Sequence, residues 1–185
     1  VGISLLIYVM DWIYGVFMTT HMAPSARFVR LESVVMIRVP KPEGFQMKGS
    51  SGYCYICVPW ISKYEWHAFS AFKDPVDTDY VCFVVAAVGD WTKKLHGALT
   101  EPIDRRNCLY GPFPSPFEMA SDSDHILSIA SGIGITAALS VIQSLADTRK
   151  MRLIWICRDA SLLEFVLDYG AKFDDDAYSL IFYTG

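Results

Sequence analysis

Residues 125–169 read HILSIASGIGITAALSVIQSLADTRKMRLIWICRDASLLEFVLDY, and their order of elements decides the fold. Ile126–Ala130 is a short apolar run. Ser131-Gly132-Ile133-Gly134 breaks it, and Ile135–Ala146 then spaces its apolar residues as a helix does. Arg152–Cys157 is a second apolar run, Ser161–Tyr169 a second helix, and Tyr178–Tyr183 a third run. Strand, helix, strand, helix, strand predicts a parallel sheet with crossover helices. Three strands amount to half of a doubly wound nucleotide-binding sheet.

Upstream the period changes to two. Ala26–Leu31, Ser33–Val39, Gly52–Val58 and Tyr80–Val88 read as strands rich in Val, Ile, Tyr and Phe. Pro40, Pro42, Gly44, Gly49 and Gly52 punctuate them. Asp90–Leu95 reads as a short helix with Asp90 as its N-cap. Short strands with one helix predict a small antiparallel barrel, and LYGPFPSPF (109–117) reads as a loop. Residues 1–18, VGISLLIYVMDWIYGVFM, carry one charge, Asp11, and approach the ~20 apolar residues that span a bilayer. Trp12, Tyr14 and Phe17 gather toward one end, as interfacial aromatics do. The expected organisation is therefore the end of a transmembrane helix over 1–22, a barrel over 23–120 and a partial parallel-sheet domain over 121–185. The chain starts with Val and stops just after an apolar run, so it is expected to be a fragment of something longer.

Composition narrows the classes. The chain has 185 residues, 52% hydrophobic and 19% charged, which excludes disordered and collagen-like chains. A net charge of −4 argues against nucleic acid as a partner. The five cysteines are odd in number and lack the spacing of a disulfide framework. Cys54-Tyr55-Ile56-Cys57 suggests a metal or redox pair, but strand positions three apart point to opposite faces and no second pair completes a site. His21, His96 and His125 lack ligand spacing, and no G-x-S-x-G nucleophile elbow is present.

Four stretches remain. In Ala130–Thr136 a glycine turn opens a helix; glycine allows close approach of a phosphate, and the helix-end N–H groups favour an anion. The turn falls short of G-x-G-x-x-G, so an ordinary strand-to-helix turn reads equally well. Cys157-Arg158-Asp159 ends the second strand, the place beside the adenosine ribose in a doubly wound sheet. There Asp suits a 2′-hydroxyl and Arg a 2′-phosphate, while a solvated ion pair is the plain alternative. Val88-Gly89-Asp90-Trp91-Thr92 is a second glycine before a helix, or a routine cap. Glu65-Trp66-His67-Ala68-Phe69-Ser70 sets a histidine among aromatics, which alone is more often structural.

Taken in order, these pieces resemble one family. Glu65–Ser70 looks like its flavin-site stretch E-W-H-P-F-[TS], and Val88–Thr92 matches V-G-D-W-T. Tyr110–Pro116 resembles [YD]-G-P-[FY]-G-[ST], Ser131–Thr136 resembles A-G-I-G-V-T-P, and Trp155–Asp159 resembles W-[LI]-C-R-D. This is the dehydrogenase region of the NADPH oxidase and ferric reductase superfamily, with the oxidases most similar. The resemblance implies a ferredoxin-reductase-type barrel for FAD followed by an NADPH domain. It places His67, Phe69 and Ser70 at the flavin, with Ser70 hydrogen-bonded to the ring. Gly89, Asp90, Trp91 and Thr92 would hold the FAD pyrophosphate side. Gly132, Gly134 and Thr136 would meet the NADPH phosphates and Arg158 the 2′-phosphate, with Asp159 turned away. No catalytic side chain and no metal site is implied. Haem belongs to a membrane part of the parent protein, which would be this region's partner and hold it on the cytoplasmic side of a membrane.

Departures stand beside the matches. Ala68 and Ala137 replace prolines, Pro114 and Ala130 replace glycines, and Ala86 stands where the family often has an arginine. Two functions follow. One is a flavoprotein oxidoreductase region passing electrons from NADPH via FAD toward haem, with oxygen (yielding superoxide) or ferric iron as final acceptor. The other is a degenerate paralogue that keeps the fold and serves as an interaction module.

Overall fold

The computed structural model describes residues 2–47, 51–169 and 179–185; Gly49 and Tyr178 of the expected elements lie outside them. Helix α1, Gly2–Thr19, leads directly into β1, Thr20–Arg30. β2 (Val34–Pro40), β3 (Gly52–Cys57), β4 (His67–Lys73) and β5 (Tyr80–Ala86) follow, then α2 (Asp90–Gly97) and β6 (Ile103–Pro114). These six strands close an antiparallel barrel in the order β1-β2-β5-β4-β3-β6. A 3-10 segment, Pro116–Asp122, leads to β7 (His125–Ser131), α3 (Ile135–Leu145), β8 (Lys150–Cys157), α4 (Ala160–Tyr169) and β9 (Ser179–Tyr183). β7, β8 and β9 pair in parallel in that order, as the apolar runs predict.

Several expectations are corrected. The membrane reading of residues 1–22 fails at its boundary, because Thr20–Met22 pair with β6 as the start of β1. No helix among the described residues is long and apolar enough to cross a membrane; the 18 residues of α1 rise only about 27 Å. β4 is a strand in its own right. The stretch 109–117 is a strand up to Pro114 because tertiary pairing overrides its Pro and Gly punctuation. Tyr53 opposes Phe113 and Tyr55 opposes Tyr110, so β6 carries one extra residue there. That bulge contains Gly111, whose φ of +131° a side chain rarely adopts.

Two cores share the β2–β5 wall. Val35, Ile37, Val39, Val81, Phe83 and Val85 point inward, where they meet Phe28, Ile56, Leu95 and Leu109. Val34, Met36, Cys82 and Val84 point outward and are buried with Phe72 of β4 against α3, α4 and β8. This is why these strands are apolar at consecutive positions instead of alternating. Trp155, Leu139 and Val166 centre the second core, each at most 1% exposed, and each contributing about 1.5–3 kcal/mol by burial. Gln143 of α3 clamps the β4 end, its Oε1 accepting from Lys73 N at 2.9 Å and its Nε2 donating to Lys73 O at 3.0 Å. The opposite face of the sheet, with Leu127, Ile129, Ile156, Leu180 and Phe182, is exposed.

Candidate functional site: two glycine turns on one interface

The barrel site forms where β4 meets the start of α2. In an antiparallel pair opposed residues share a face. His67 opposes Ile56 and Phe69 opposes Cys54, so both side chains turn toward Trp91. The His67 ring lies 4.4 Å from the Trp91 ring, and Phe69 stacks on Trp91 at 6.2 Å. Ser70 opposes Tyr53 and therefore lies on the other face of β4. There it joins an aromatic face made of Tyr53, Tyr55, Tyr110 and Phe113, with ring centroids 4.9–6.0 Å apart. Trp66 adds its edge to Tyr110 at 6.4 Å. Of the expected flavin residues, His67 and Phe69 come together, joined by Trp91, expected on the pyrophosphate side, and Ser70 stands apart from them. The aromatic face was not singled out from sequence, although the alternation Tyr53-Cys54-Tyr55 already sends both tyrosines one way.

The turn before α2 is built by Thr92. Gly89, not Asp90, is the N-cap. Thr92 Oγ1 accepts from Val88 N (3.0 Å) and Gly89 N (2.9 Å) and donates to Gly89 O (3.0 Å). Asp90 is exposed in the first turn.

The second turn ends β7. Gly132 has φ +49°, the left-handed region, where a β-carbon costs energy. Gly134 is helical and α3 starts at Ile135. Thr136 is buried and donates its hydroxyl to Ile133 O at 3.0 Å. Trp155 Nε1 donates to Gly132 O at 3.0 Å, which pins the turn to β8. A hydroxyl has one proton, and both Thr92 and Thr136 give theirs to backbone carbonyls. An anion at either turn would thus be met by helix-end amides, not by these hydroxyls. Arg158 follows β8 at the same edge of the sheet, because Ser131 and Ile156 are in register, and it is exposed.

Two observations suit bound cofactors. The buried Trp91 Nε1 and His67 Nε2 have no hydrogen-bond partner among the described residues; Glu65 Oε2 stands 3.6 Å from His67 Nε2, beyond hydrogen-bond reach. Among the described residues, a β-carbon built on Gly132 or Gly134 meets nothing within 4 Å, so they leave the space above this turn open. The CxxC pair is different: Cys54 and Cys57 are both buried, and burial pushes the Cys54 thiol up to about 12.

The sequence model of the FAD-binding domain family matches residues 20–154. NADPH oxidase 4 of Homo sapiens is 32% identical over 156 residues, covering 73% of this chain and 27% of its own length. Respiratory burst oxidase homolog protein D of Solanum tuberosum is 28% identical over 135 residues, 64% of this chain and 16% of its own. This chain therefore spans about a quarter or less of these relatives. Among solved structures, a ferredoxin NADP+ reductase from Neisseria gonorrhoeae with bound FAD and NADP superimposes with a TM-score of 0.60 at 16% identity, over 88% of this chain and 67% of that one. The fold expected from sequence, a ferredoxin-reductase-type barrel with a parallel-sheet nucleotide domain, is the fold observed.

Proposed function

Since the chain belongs to the family of FAD-binding domains, we propose that it is the electron-input region of a membrane oxidoreductase of the NADPH oxidase type. In this reading it takes electrons from NADPH via FAD and delivers them toward haem in the parent's membrane part. Oxygen, yielding superoxide, or ferric iron is the final acceptor. The observation that carries the reading is the pair of glycine turns, Val88–Thr92 and Ser131–Thr136, packed into the two cores on either side of the shared β2–β5 wall. A barrel helix start and a sheet helix start on one interface can seat two pyrophosphate-bearing molecules side by side.

FAD, when bound, supplies a hydride acceptor that gives up electrons singly. The protein's part is to bind and orient. His67, Phe69 and Trp91 offer a flat surface with two unpaired N–H or N positions, and Ser70 offers a hydroxyl at the aromatic face. The turn at Gly89–Asp90 offers helix-end amides to the FAD pyrophosphate, and the turn at Gly132–Gly134 offers them to NADPH. Arg158, exposed at the same edge, suits a 2′-phosphate through its planar fork. The apolar α1, with Ile3 77% and Trp12 58% exposed, lies toward the membrane part of the parent, with the barrel and sheet on the cytoplasmic side.

The test is flavin binding. Purified chain titrated into FAD should quench flavin fluorescence, and the chain should stay yellow after free FAD is removed by gel filtration. Trp91→Leu should weaken this sharply, and Ser70→Ala by about tenfold or less, one hydrogen bond of roughly 0.5–1.5 kcal/mol. A folded chain that leaves FAD fluorescence unchanged would overturn the reading.

A further inference from the structure

Ser33 lies between the two turns. Its carbonyl accepts Ala87 N at 2.9 Å, immediately before the Val88–Thr92 turn. Its hydroxyl donates to Asp159 Oδ2, immediately after Arg158. The other carboxylate oxygen of Asp159 accepts the Ser161 hydroxyl at 2.8 Å and the Leu162 amide at 2.9 Å, and so starts α4. Ser161 Oγ in turn accepts Glu32 N at 3.1 Å. At this point two hydrogen bonds join the barrel to the sheet domain, Ser33 to Asp159 and Glu32 to Ser161, besides the Gln143–Lys73 pair. The barrel side is itself held, since Leu31 N donates to Val34 O at 2.9 Å and His96 Nε2 lies 2.9 Å from Leu31 O. Burial would raise the Asp159 carboxyl, but the Ser33, Leu162 and Ser161 hydrogen bonds outweigh it and hold the carboxyl below the ordinary carboxylate range.

We propose that Asp159 is a positioning residue: through Ser33 it latches the end of β8 to the barrel and sets where Arg158 stands relative to the Val88–Thr92 turn. From sequence alone this carboxylate suits a 2′-hydroxyl at the ribose site, and the family resemblance turns it away without saying what holds it. Its oxygens are instead committed to Ser33, Ser161 and Leu162. The ligand consequence rests on the proposed NADPH site; the latch itself does not.

Two measurements separate these. Hydrogen exchange on the ligand-free chain reads the latch across the interface. Ser33→Ala should speed exchange at Leu162, on the far side, and Asp159→Asn should speed it at Glu32. An Asp159 that merely caps α4 would leave Leu162 unchanged in Ser33→Ala, and that result overturns the latch. Calorimetry with 2′,5′-ADP and 5′-AMP reads the ligand consequence. Asp159→Asn and Ser33→Ala should each weaken 2′,5′-ADP by about fivefold, one hydrogen bond's worth, with 5′-AMP little affected. The double variant should be no worse than either single. Tighter 2′,5′-ADP binding by Asp159→Asn would put the carboxylate against the phosphate and overturn the proposal. If the unaltered chain ignores 2′,5′-ADP, the nucleotide reading fails and exchange alone decides the latch.

Discussion

Gly132 and Gly134 should respond in opposite directions for stability and in the same direction for ligand. Gly132 sits at φ +49°, where alanine costs roughly 1–2 kcal/mol. Gly134 has φ −58° and ψ −14°, so alanine there is unstrained. By restricting the unfolded chain it should stabilise by about 0.4–1 kcal/mol. Neither new β-carbon meets an atom of the described residues within 4 Å, so no clash enters either estimate. At this chain length each kcal/mol moves Tm by about 2–4 °C. Gly132→Ala should thus lower Tm by about 2–8 °C, and Gly134→Ala should raise it by about 1–4 °C. If the open space holds a phosphate, either methyl keeps that phosphate away from the helix-end amides. Losing a charge-assisted hydrogen bond of roughly 1.5–3 kcal/mol weakens NADP+ by about ten- to a hundredfold. Thermal melts and calorimetry on both variants decide it. Gly134→Ala is the decisive case, a more stable protein that binds worse. Undiminished NADP+ binding by that variant would refute the cradle, and an unshifted melt of Gly132→Ala would refute the backbone argument.

Arg158→Ala should weaken 2′,5′-ADP by about ten- to a hundredfold, the worth of a charged hydrogen bond, and leave 5′-AMP nearly unchanged; equal losses would make Arg158 structural. Asp74 is 3% exposed and bonded to Arg38 and to the amides of Val76 and Asp77. Burial would raise its carboxyl, but these partners hold it below the ordinary range. Such a group stabilises the fold above its unfolded pKa of about 3.9, and that contribution is lost as pH falls through the folded value. Urea midpoints should therefore drop below about pH 4, and Asp74→Asn should flatten that drop. With the Cys54 thiol near 12, roughly one part in ten thousand is thiolate at pH 8. A thiol reagent should leave Cys54 unlabelled in the native protein and label it on unfolding; rapid native labelling at Cys54 would contradict its burial. Removing residues 2–18 should convert an aggregating chain into a monodisperse one by light scattering, and a monodisperse intact chain would show that α1 is covered.

Local pattern in the sequence carried the parallel sheet, because each apolar run there is bounded by a glycine turn or a helical period, and β7, β8 and β9 appear where those runs lie. It also located both glycine turns, since a glycine before a helix start is a backbone requirement visible in the chain itself. What local pattern missed depends on partners far away. β4 and β6, whose second half read as a loop, are strands only because β3 lies between them with a one-residue bulge at Gly111. The unbroken apolar runs of β2 and β5 make sense only once their outer faces are seen buried under α3 and α4. Thr92 and Thr136 looked like phosphate contacts, but their single protons are used by carbonyls within their own turns. The family resemblance turned Asp159 away from the ribose site, but what holds it away, Ser33 more than a hundred residues off in the chain, appears only in the fold. Residue type and spacing determined which groups could bind an anion. Only the folded structure decided which of those groups still had a proton or lone pair to offer, because hydrogen bonds within the turns use up the Thr92 and Thr136 protons and bonds across the interface engage Asp159.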